Sequence, residues 1–320
     1  MALVSQPWRY VGTAVAGGVN VSDYLATLQT ILASATYDGG AARTAGAGNA
    51  WSVESTEGAP LEALLLSPPT GSPASGKVLI AGYNGAKTPN MQAPDAYLSN
   101  ALHVSATSNG GTLSGWDGAA PLGAVNWTEF WKTSNALGGA VGNVYVYETQ
   151  EQIAIFSKNG TSVYGFFGGA IVDPLSGAAL DAEADGRRYG VVTSGGVLIS
   201  ATMHNLTGAF GSHFTTNGNV HACVLDPGLS TFSWVSRARF MGAVSTSQQG
   251  ILPSGGYMLT SIDLKGAAYN VEGPAMGVLR GIYIGPDARL GQTRTLDGTT
   301  YYPVGGGDLA DVDCYWLLGT

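Results

Sequence analysis

Three groups of acidic residues have the composition and spacing that carboxylate chemistry requires. They are Glu54 with Glu57, Glu148 with Glu151, and Asp308 with Asp311 and Asp313. Glycoside hydrolysis uses two carboxyl groups roughly 5–10 Å apart, one as the acid and the other as the base or nucleophile. No further feature sets one group apart from the others, and we expect the C-terminal group in a solvated loop before the last strand.

A second acidic cluster imitates part of a calcium-binding loop. Asp181, Glu183 and Asp185 occupy alternate positions before a glycine, as in the first half of an EF-hand loop. The twelfth position is Val192 where a bidentate glutamate is needed, and Arg187–Arg188 adds positive charge beside the cluster. The pattern therefore predicts a solvated acidic loop, and calcium is the first metal to test there.

The histidines and serines give no strong catalytic or metal-binding pattern. His213, His221 and Cys223 fall within eleven residues, but the spacings typical of zinc ligands are missing. His221 and Cys223 are expected on one face of a strand, which suits packing as well as ligation. Residues 208–213 include Ser212 but lack the strand–turn–helix context of a nucleophile elbow. We expect no enzyme activity, no cofactor and no metal site.

Several tryptophans could form a carbohydrate-binding surface. Trp116, Trp127 and Trp131 are the candidates for glycan contact, because aromatic rings can stack on sugars. Large rings are also favoured in cores and in subunit interfaces. Core or interface packing is the preferred interpretation, and glycan contact is the alternative.

The chain carries little charge for its size. Charged residues make up 11% of 320 residues, and glycine occurs 48 times; roughly 25% charge is usual in soluble domains. The apolar fraction of 45% indicates a folded chain. Free cytoplasmic enzymes normally use mixed surface charge to stay in solution. The composition therefore favours a protein whose surface is covered by neighbours, with an ordinary Gly- and Ala-rich globular protein as the alternative.

Charge and hydropathy also exclude several classes of partner. The net charge is −8 and the basic residues are scattered, so no nucleic-acid surface is expected. No apolar run is long enough to cross a membrane. Residues 1–8 lack the basic and apolar regions of a secretory signal, so we expect synthesis in the cytoplasm. Cys223 and Cys314 are expected to be reduced.

The pattern of apolar residues predicts one helix followed by many strands. Asn20 to Asp23 offers N-cap residues, apolar residues then recur at helical spacing, and residues 37–40 end the run. We predict a helix and a Gly- and Ala-rich arm or loop in residues 1–50, an irregular β-containing region in 51–140, and a β-rich domain in 141–320. The fold class is mainly β, with antiparallel sandwich or barrel-like sheets.

Two stretches of the C-terminal half resemble structural proteins of tailed-bacteriophage virions. The first runs from Ile153 to Pro174 and continues with Gly186 to Thr193, and the second is Gly281 to Gly291. The resemblance covers roughly residues 140–320 and implies a β-rich subunit of a tail, baseplate or capsid exterior.

The combined expectation is a non-catalytic virion subunit that self-associates and docks on other virion proteins. Tail or baseplate is preferred to capsid decoration or head fibre. A receptor- or glycan-binding module on the same particle is the first alternative, and a virion-borne glycan hydrolase is the second.

Overall fold

The computed structural model of the protein describes residues 7–16, 20–46, 48–57, 61–70, 72, 77–83, 101–107, 126–132, 142–159, 162–170, 189–194, 198–200, 219–226, 231–241, 260–268, 271–285, 290–291, 293–304 and 314–319. Within these residues there are one α-helix and 18 β-strands. The helix, α1, is Val21–Leu32.

The strands are short to moderate in length and follow one another along most of the described chain. They are β1 (Arg9–Val15), β2 (Ser52–Glu57), β3 (Leu61–Ser67), β4 (Lys77–Tyr83), β5 (Ala101–Thr107), β6 (Asn126–Lys132), β7 (Asn143–Glu148), β8 (Gln152–Asn159), β9 (Ser162–Ala170), β10 (Tyr189–Ser194), β11 (Leu198–Ser200), β12 (Asn219–Asp226), β13 (Thr231–Met241), β14 (Thr260–Ala268), β15 (Val271–Gly285), β16 (Arg294–Leu296), β17 (Thr299–Val304) and β18 (Cys314–Leu318).

These strands form two antiparallel sheets. The larger has the order β1-β7-β8-β9-β10-β12-β13-β14-β15-β18-β17-β16, and the smaller has the order β11-β6-β5-β4-β3-β2. Most neighbours in each sheet are also neighbours in sequence, as expected for hairpins and meanders. The prediction of a mainly β fold with antiparallel sheets and one helix near the N-terminus is confirmed.

Helix α1 begins and ends where local side-chain chemistry dictates. Asn20 is the N-cap, and its Oδ1 accepts a hydrogen bond from the Asp23 amide at 2.8 Å. The apolar positions that predicted the helix are all buried; they are Val21, Tyr24, Leu25, Leu28, Ile31 and Leu32. The helix has 12 residues and ends at Leu32, before residues 37–40 that were expected to end the run, because the chain turns at Ala33.

One hydrophobic core joins α1 to both sheets. Alternate residues of β3, β4 and β5 reach it from the smaller sheet, and alternate residues of β7 and β8 reach it from the larger. This period of two is what a strand produces when one face packs on a core. The residues concerned are Leu64, Leu66, Val78, Ile80, Leu102, Val104, Val144, Val146, Ile153 and Ile155.

The opposite face of the larger sheet carries a group of tyrosines that joins its two ends. The ring centroids of Tyr10 and Tyr147 are 5.1 Å apart, and Tyr302 lies 6.2 Å and 5.5 Å from them. Tyr302 belongs to β17, far from β1 and β7 in strand order, so the sheet curves back on itself. Burial raises the pKa of the Tyr10 and Tyr147 phenols, and each is raised further by charge near it.

Residues 157–160, Ser-Lys-Asn-Gly, carry an Asn-Gly hairpin signal, and β8 and β9 do form a hairpin, with Asn159 as the last residue of β8. The two strands pair antiparallel, and Asn159 lies opposite Ser162.

The two cysteines lie on strands that are well separated in the larger sheet. Cys223 is on β12 and Cys314 is on β18, with three strands between them. Four strand spacings amount to roughly 19 Å, and a disulfide requires Cα atoms closer than about 7 Å. The topology therefore keeps these residues too far apart for a disulfide within one chain.

Gly165 and Gly12 provide a matched test of strand packing, because neither has a positive φ. A Cβ on Gly165 would lie 2.4 Å from the Ile155 carbonyl oxygen and 2.3 Å from Phe156 Cδ1, whereas one on Gly12 would have only Ile31 Cγ2 nearby, at 3.8 Å. We predict that Gly165→Ala lowers the free energy of unfolding by about 1–3 kcal/mol and that Gly12→Ala changes it by less than about 0.5 kcal/mol. Chemical denaturation measures both, and equal effects would contradict this packing.

The tyrosine group predicts a loss of stability at alkaline pH. Tyr10 and Tyr147 remain protonated in the folded state, while in the unfolded state they ionise near pH 10, approximately their ordinary pKa. The folded state then holds more protons, so the free energy of unfolding falls as pH rises above about 10. Tyr147→Phe should reduce this slope in denaturation curves measured across that range. An unchanged slope in the variant would show that Tyr147 ionises equally in both states.

Candidate functional site

The most concentrated polar chemistry in the described residues lies where the loop after α1 meets the end of β7. The Tyr37 amide donates to the Ala41 carbonyl at 2.8 Å, and the Arg43 amide donates to the Ala35 carbonyl at 2.8 Å. Gly39 and Gly40 have φ of 93° and 87°, which glycine adopts at little cost. Residues 39–46 and 48–50 fold back on their own chain, and the tight reversal at Gly39 and Gly40 directs Arg43 inward.

Arg43 uses every N–H group of its guanidinium within the chain. Its side chain is fully buried, and its Nε and Nη2 donate to the two carboxylate oxygens of Glu148 at 2.9 and 3.0 Å. Nη2 also donates to the Trp51 carbonyl at 2.7 Å, and Nη1 donates to the carbonyls of Leu32 and Ser34 at 2.5 and 3.2 Å. A guanidinium has five N–H donors, so none remains for a ligand.

One of these acceptors, the Leu32 carbonyl, belongs to the last residue of α1, and the Ser34 carbonyl follows just beyond the helix end. The last carbonyls of a helix have no partner within the helix and carry partial negative charge. Arg43 supplies both a hydrogen-bond donor and a positive charge to that end. The same side chain therefore caps the helix and neutralises Glu148.

Glu148 accepts hydrogen bonds from more than one partner. Besides the two bonds from Arg43, its Oε2 accepts from the Trp51 amide at 3.2 Å, and the Tyr37 hydroxyl lies within hydrogen-bonding reach. Burial raises the pKa of the Glu148 carboxyl above its ordinary value, although Arg43, Tyr37 and Trp51 each favour the charged form. The bidentate geometry and the further hydrogen bond from the Trp51 amide make this a structural ion pair.

The turn from β7 to β8 is fixed beside this ion pair. Thr149 Oγ1 accepts from the amides of Glu151 and Gln152 at 3.1 and 2.9 Å, and the Thr149 amide donates to the Gln152 carbonyl at 2.8 Å. Trp51 Nε1 donates to the Thr149 carbonyl at 3.1 Å. Trp51 is completely buried, and its ring holds the β7–β8 turn against the loop that follows α1.

A cleft of about 210 Å³ opens beside these residues. It is lined by Pro7, Arg9, Tyr37, Asn49, Glu148, Thr149 and Gln150. The Arg9 guanidinium lies over the Tyr37 ring at 5.1 Å from its centroid, a cation–π contact. The Tyr37 hydroxyl donates to the Asn49 carbonyl at 3.3 Å, and burial and the Glu148 charge raise the pKa of its phenol.

The titratable groups Glu148 and Tyr37 in this cleft already have partners within the chain. Glu148 is held by Arg43, so it cannot serve as a free nucleophile or base. Tyr37 stays protonated because its pKa is raised, which removes it as a base near neutral pH. The arrangement can hold a loop and a turn in place, and it leaves Arg9 as the cation that faces the cleft.

Two of the acidic groups singled out in the sequence lie among the described residues. Glu148 and Glu151 are both buried at the β7–β8 turn. Glu54 on β2 pairs with Lys77 at 2.5 Å and bonds with Ser67. Burial alone would raise the pKa of Glu54, but Lys77 and Ser67 outweigh it and hold that pKa below its ordinary value. Glu54 and Glu148 are therefore both engaged in ion pairs.

Several other candidates lie outside the described residues. These are Asp181, Glu183 and Asp185 of the calcium-like cluster, Trp116, and the C-terminal aspartates at 308, 311 and 313.

The remaining candidates are placed by their backbone. Trp127 and Trp131 are on β6, opposite Ile199 of β11 and Leu102 of β5 respectively. His221 and Cys223 lie two residues apart on β12, as expected. Among the described residues no group of three or more His, Cys, Asp or Glu is placed to hold a metal ion.

Arg43 is the residue that the sequence analysis missed. It is the one charged residue between Gly39 and Ala50, and a lone charge in such a segment is a signal for a specific partner. Glu148 was considered as a possible catalytic acid, but its partner lies 105 residues away in sequence.

Comparisons with known proteins give no family for this chain. No protein-family model matches the sequence, and no curated protein matches it at a significant level. The helix in the described part of the chain is too short to cross a lipid bilayer.

The buried ion pair predicts a large difference between two charge-removing substitutions. Arg43→Met leaves the Glu148 carboxylate buried without its counter-charge, and we expect the free energy of unfolding to fall by about 3–5 kcal/mol. Lys77→Met removes the partner of Glu54 in a partly exposed pair, so the loss should stay below about 1 kcal/mol. Urea denaturation of both variants and of the wild type measures the two losses in the free energy of unfolding. Similar losses would mean that Arg43 contributes no more than a surface charge.

Proposed function

We propose that this chain is a non-catalytic structural subunit of the virion of a tailed bacteriophage, in the tail or baseplate in preference to a capsid decoration or head fibre. It acts through self-assembly and through docking contacts with other virion proteins. The resemblance of residues 153–174, 186–193 and 281–291 to such proteins supports this class.

The scarcity of charge is the observation that carries the proposal. The chain has 14 basic and 22 acidic residues among 320. Surfaces with few ions can associate without the cost of desolvating them. A mainly β fold supports the same role, because stacked sheets present broad and rigid faces to neighbouring subunits.

The chemistry around Arg43 supports the non-catalytic part of the proposal. The strongest polar cluster in the described residues holds a loop, a helix end and a turn together, and its donors are satisfied internally. Catalytic groups need a free lone pair or proton within reach of a substrate. Arg43 and Glu148 instead form an ion pair that joins the loop after α1 to the end of β7.

A glycan-binding module on the same particle is the second candidate function. Trp127 and Trp131 lie on the single strand β6, so their positions are fixed by one element. Binding on a glycan array that is lost in Trp116→Ala or Trp127→Ala would favour this candidate. A virion-borne glycan hydrolase is less well supported, because Glu54 and Glu148 are each held in an ion pair.

The proposal predicts that the chain is a multi-copy component of purified particles. Quantitative mass spectrometry of gradient-purified virions should find it in a fixed ratio to other virion proteins, and electron microscopy should place it in the tail or baseplate. Abundant host proteins in the same fractions serve as the control for contamination. If the chain is absent from the particles, the virion role is wrong.

A further inference from the structure

The outer edge of β1 is an open hydrogen-bonding edge in the described part of the chain. Strand β1 ends the larger sheet, with β7 as its neighbour on one side. An edge strand presents unpaired N–H and C=O groups that can pair with another strand.

The register of β1 shows which of its backbone groups point outward. The Ala16 amide donates to the Gly142 carbonyl at 2.9 Å, continuing the ladder between β1 and β7. Bonded and non-bonded pairs alternate along an antiparallel ladder, so Ala14 also bonds to β7 and the residues on either side of it do not. The N–H and C=O groups of Thr13 and Val15 therefore point away from the sheet.

Only the first half of this edge is covered by described residues. The Tyr10 carbonyl accepts from the Asp38 amide at 3.0 Å, and a bulge separates Tyr10 from Gly12. No described residue hydrogen-bonds to the outer groups of Thr13 and Val15. Val15 is 59% exposed, the one large apolar side chain with high exposure among the described residues.

The other sheet edges carry protection that this half of β1 lacks. Strands β11 and β16 have three residues each. Strand β2 carries Glu54 and Glu57 and has a bulge between Val53 and Ser55. Short strands, charges and bulges are the usual means of preventing edge pairing. The stretch Thr13-Ala14-Val15 has no charge and no proline. It therefore lacks the side chains that usually prevent another strand from pairing with an edge.

We propose that this edge pairs antiparallel with the same edge of a second copy of the chain, an inference that rests on the proposed role as an assembling subunit. With Ala14 facing Ala14 of the second copy across a two-fold axis, Thr13 of each copy lies opposite Val15 of the other. This register joins the outward N–H and C=O groups of both residues in four hydrogen bonds.

Self-pairing suits the composition of this edge. A two-fold axis brings each residue close to its own copy, so any charge near the axis would meet a like charge. Residues 13–15 carry none. Thr13 and Val15 are both β-branched, and such pairs pack well across antiparallel strands.

Disulfide trapping tests the register directly. Residues 14 of the two copies form a non-bonded pair with Cα atoms about 4.5 Å apart, within the disulfide range of about 4.4–6.8 Å. Ala14→Cys should give covalent dimers under mild oxidation, linked through residue 14 as shown by peptide mass spectrometry. Thr295→Cys, exposed on the short edge strand β16, is the control for chance collisions. Linkage no greater than in this control overturns the pairing.

A second pair of variants separates pairing from folding. Val15→Pro removes an outward N–H from each copy and leaves the ladder to β7 intact, whereas Val15→Thr keeps that N–H and the β-branch. Two lost hydrogen bonds should raise the dissociation constant roughly 30-fold, measured by sedimentation equilibrium on variants with unchanged circular dichroism. A monomeric wild type, or equal dissociation constants, overturns the β1 pairing. The virion role is judged separately, by the presence of the chain in particles.

Discussion

A guanidinium can be buried in a protein only if a counter-charge neutralises it and every N–H group has a hydrogen-bond acceptor. This constraint fixes how several segments of the described fold are arranged. Arg43 obtains its acceptors from the end of α1, from Trp51 and from Glu148 at the end of β7. A shift of any of these segments by one residue would leave a buried donor unpaired, which costs more than a hydrogen bond contributes. The positions of the loop, the helix end and the turn are therefore set together.

This centre complements a core that is otherwise apolar. The core contacts between α1 and the two sheets come from aliphatic and aromatic side chains, which stabilise the fold but discriminate weakly between nearby packings. The ion pair adds a directional requirement at one end of that core. Charge is scarce over the whole chain, and both side chains of this pair are fully buried.

The fold class could be predicted from the sequence because its signals are local. Short apolar runs such as residues 152–156, and the spacing from Val21 to Leu32, depend only on neighbouring residues. Strand β1 was missed for a related reason. Glycine and alanine in β1 weaken its pattern.

The candidate site could not be predicted in this way. Arg43 and Glu148 are brought together by tertiary folding across 105 residues, and no local periodicity reports such a pair. Residues 37–40 were expected to end the helix, but Gly39 and Gly40 instead form the reversal that turns Arg43 inward. The sequence singled out Glu148 as a candidate catalytic carboxylate. In the structure Glu148 forms a buried ion pair with Arg43.

The central claim is that Arg43 and Glu148 stabilise the fold as a pair, and a double-mutant cycle measures this most directly. The cycle compares the free energies of unfolding of the wild type, Arg43→Met, Glu148→Met and the double variant. If the pair acts as a unit, the double variant loses less stability than the sum of the two single losses, by at least about 2 kcal/mol, because no unpaired buried charge remains. Strictly additive losses would contradict the account.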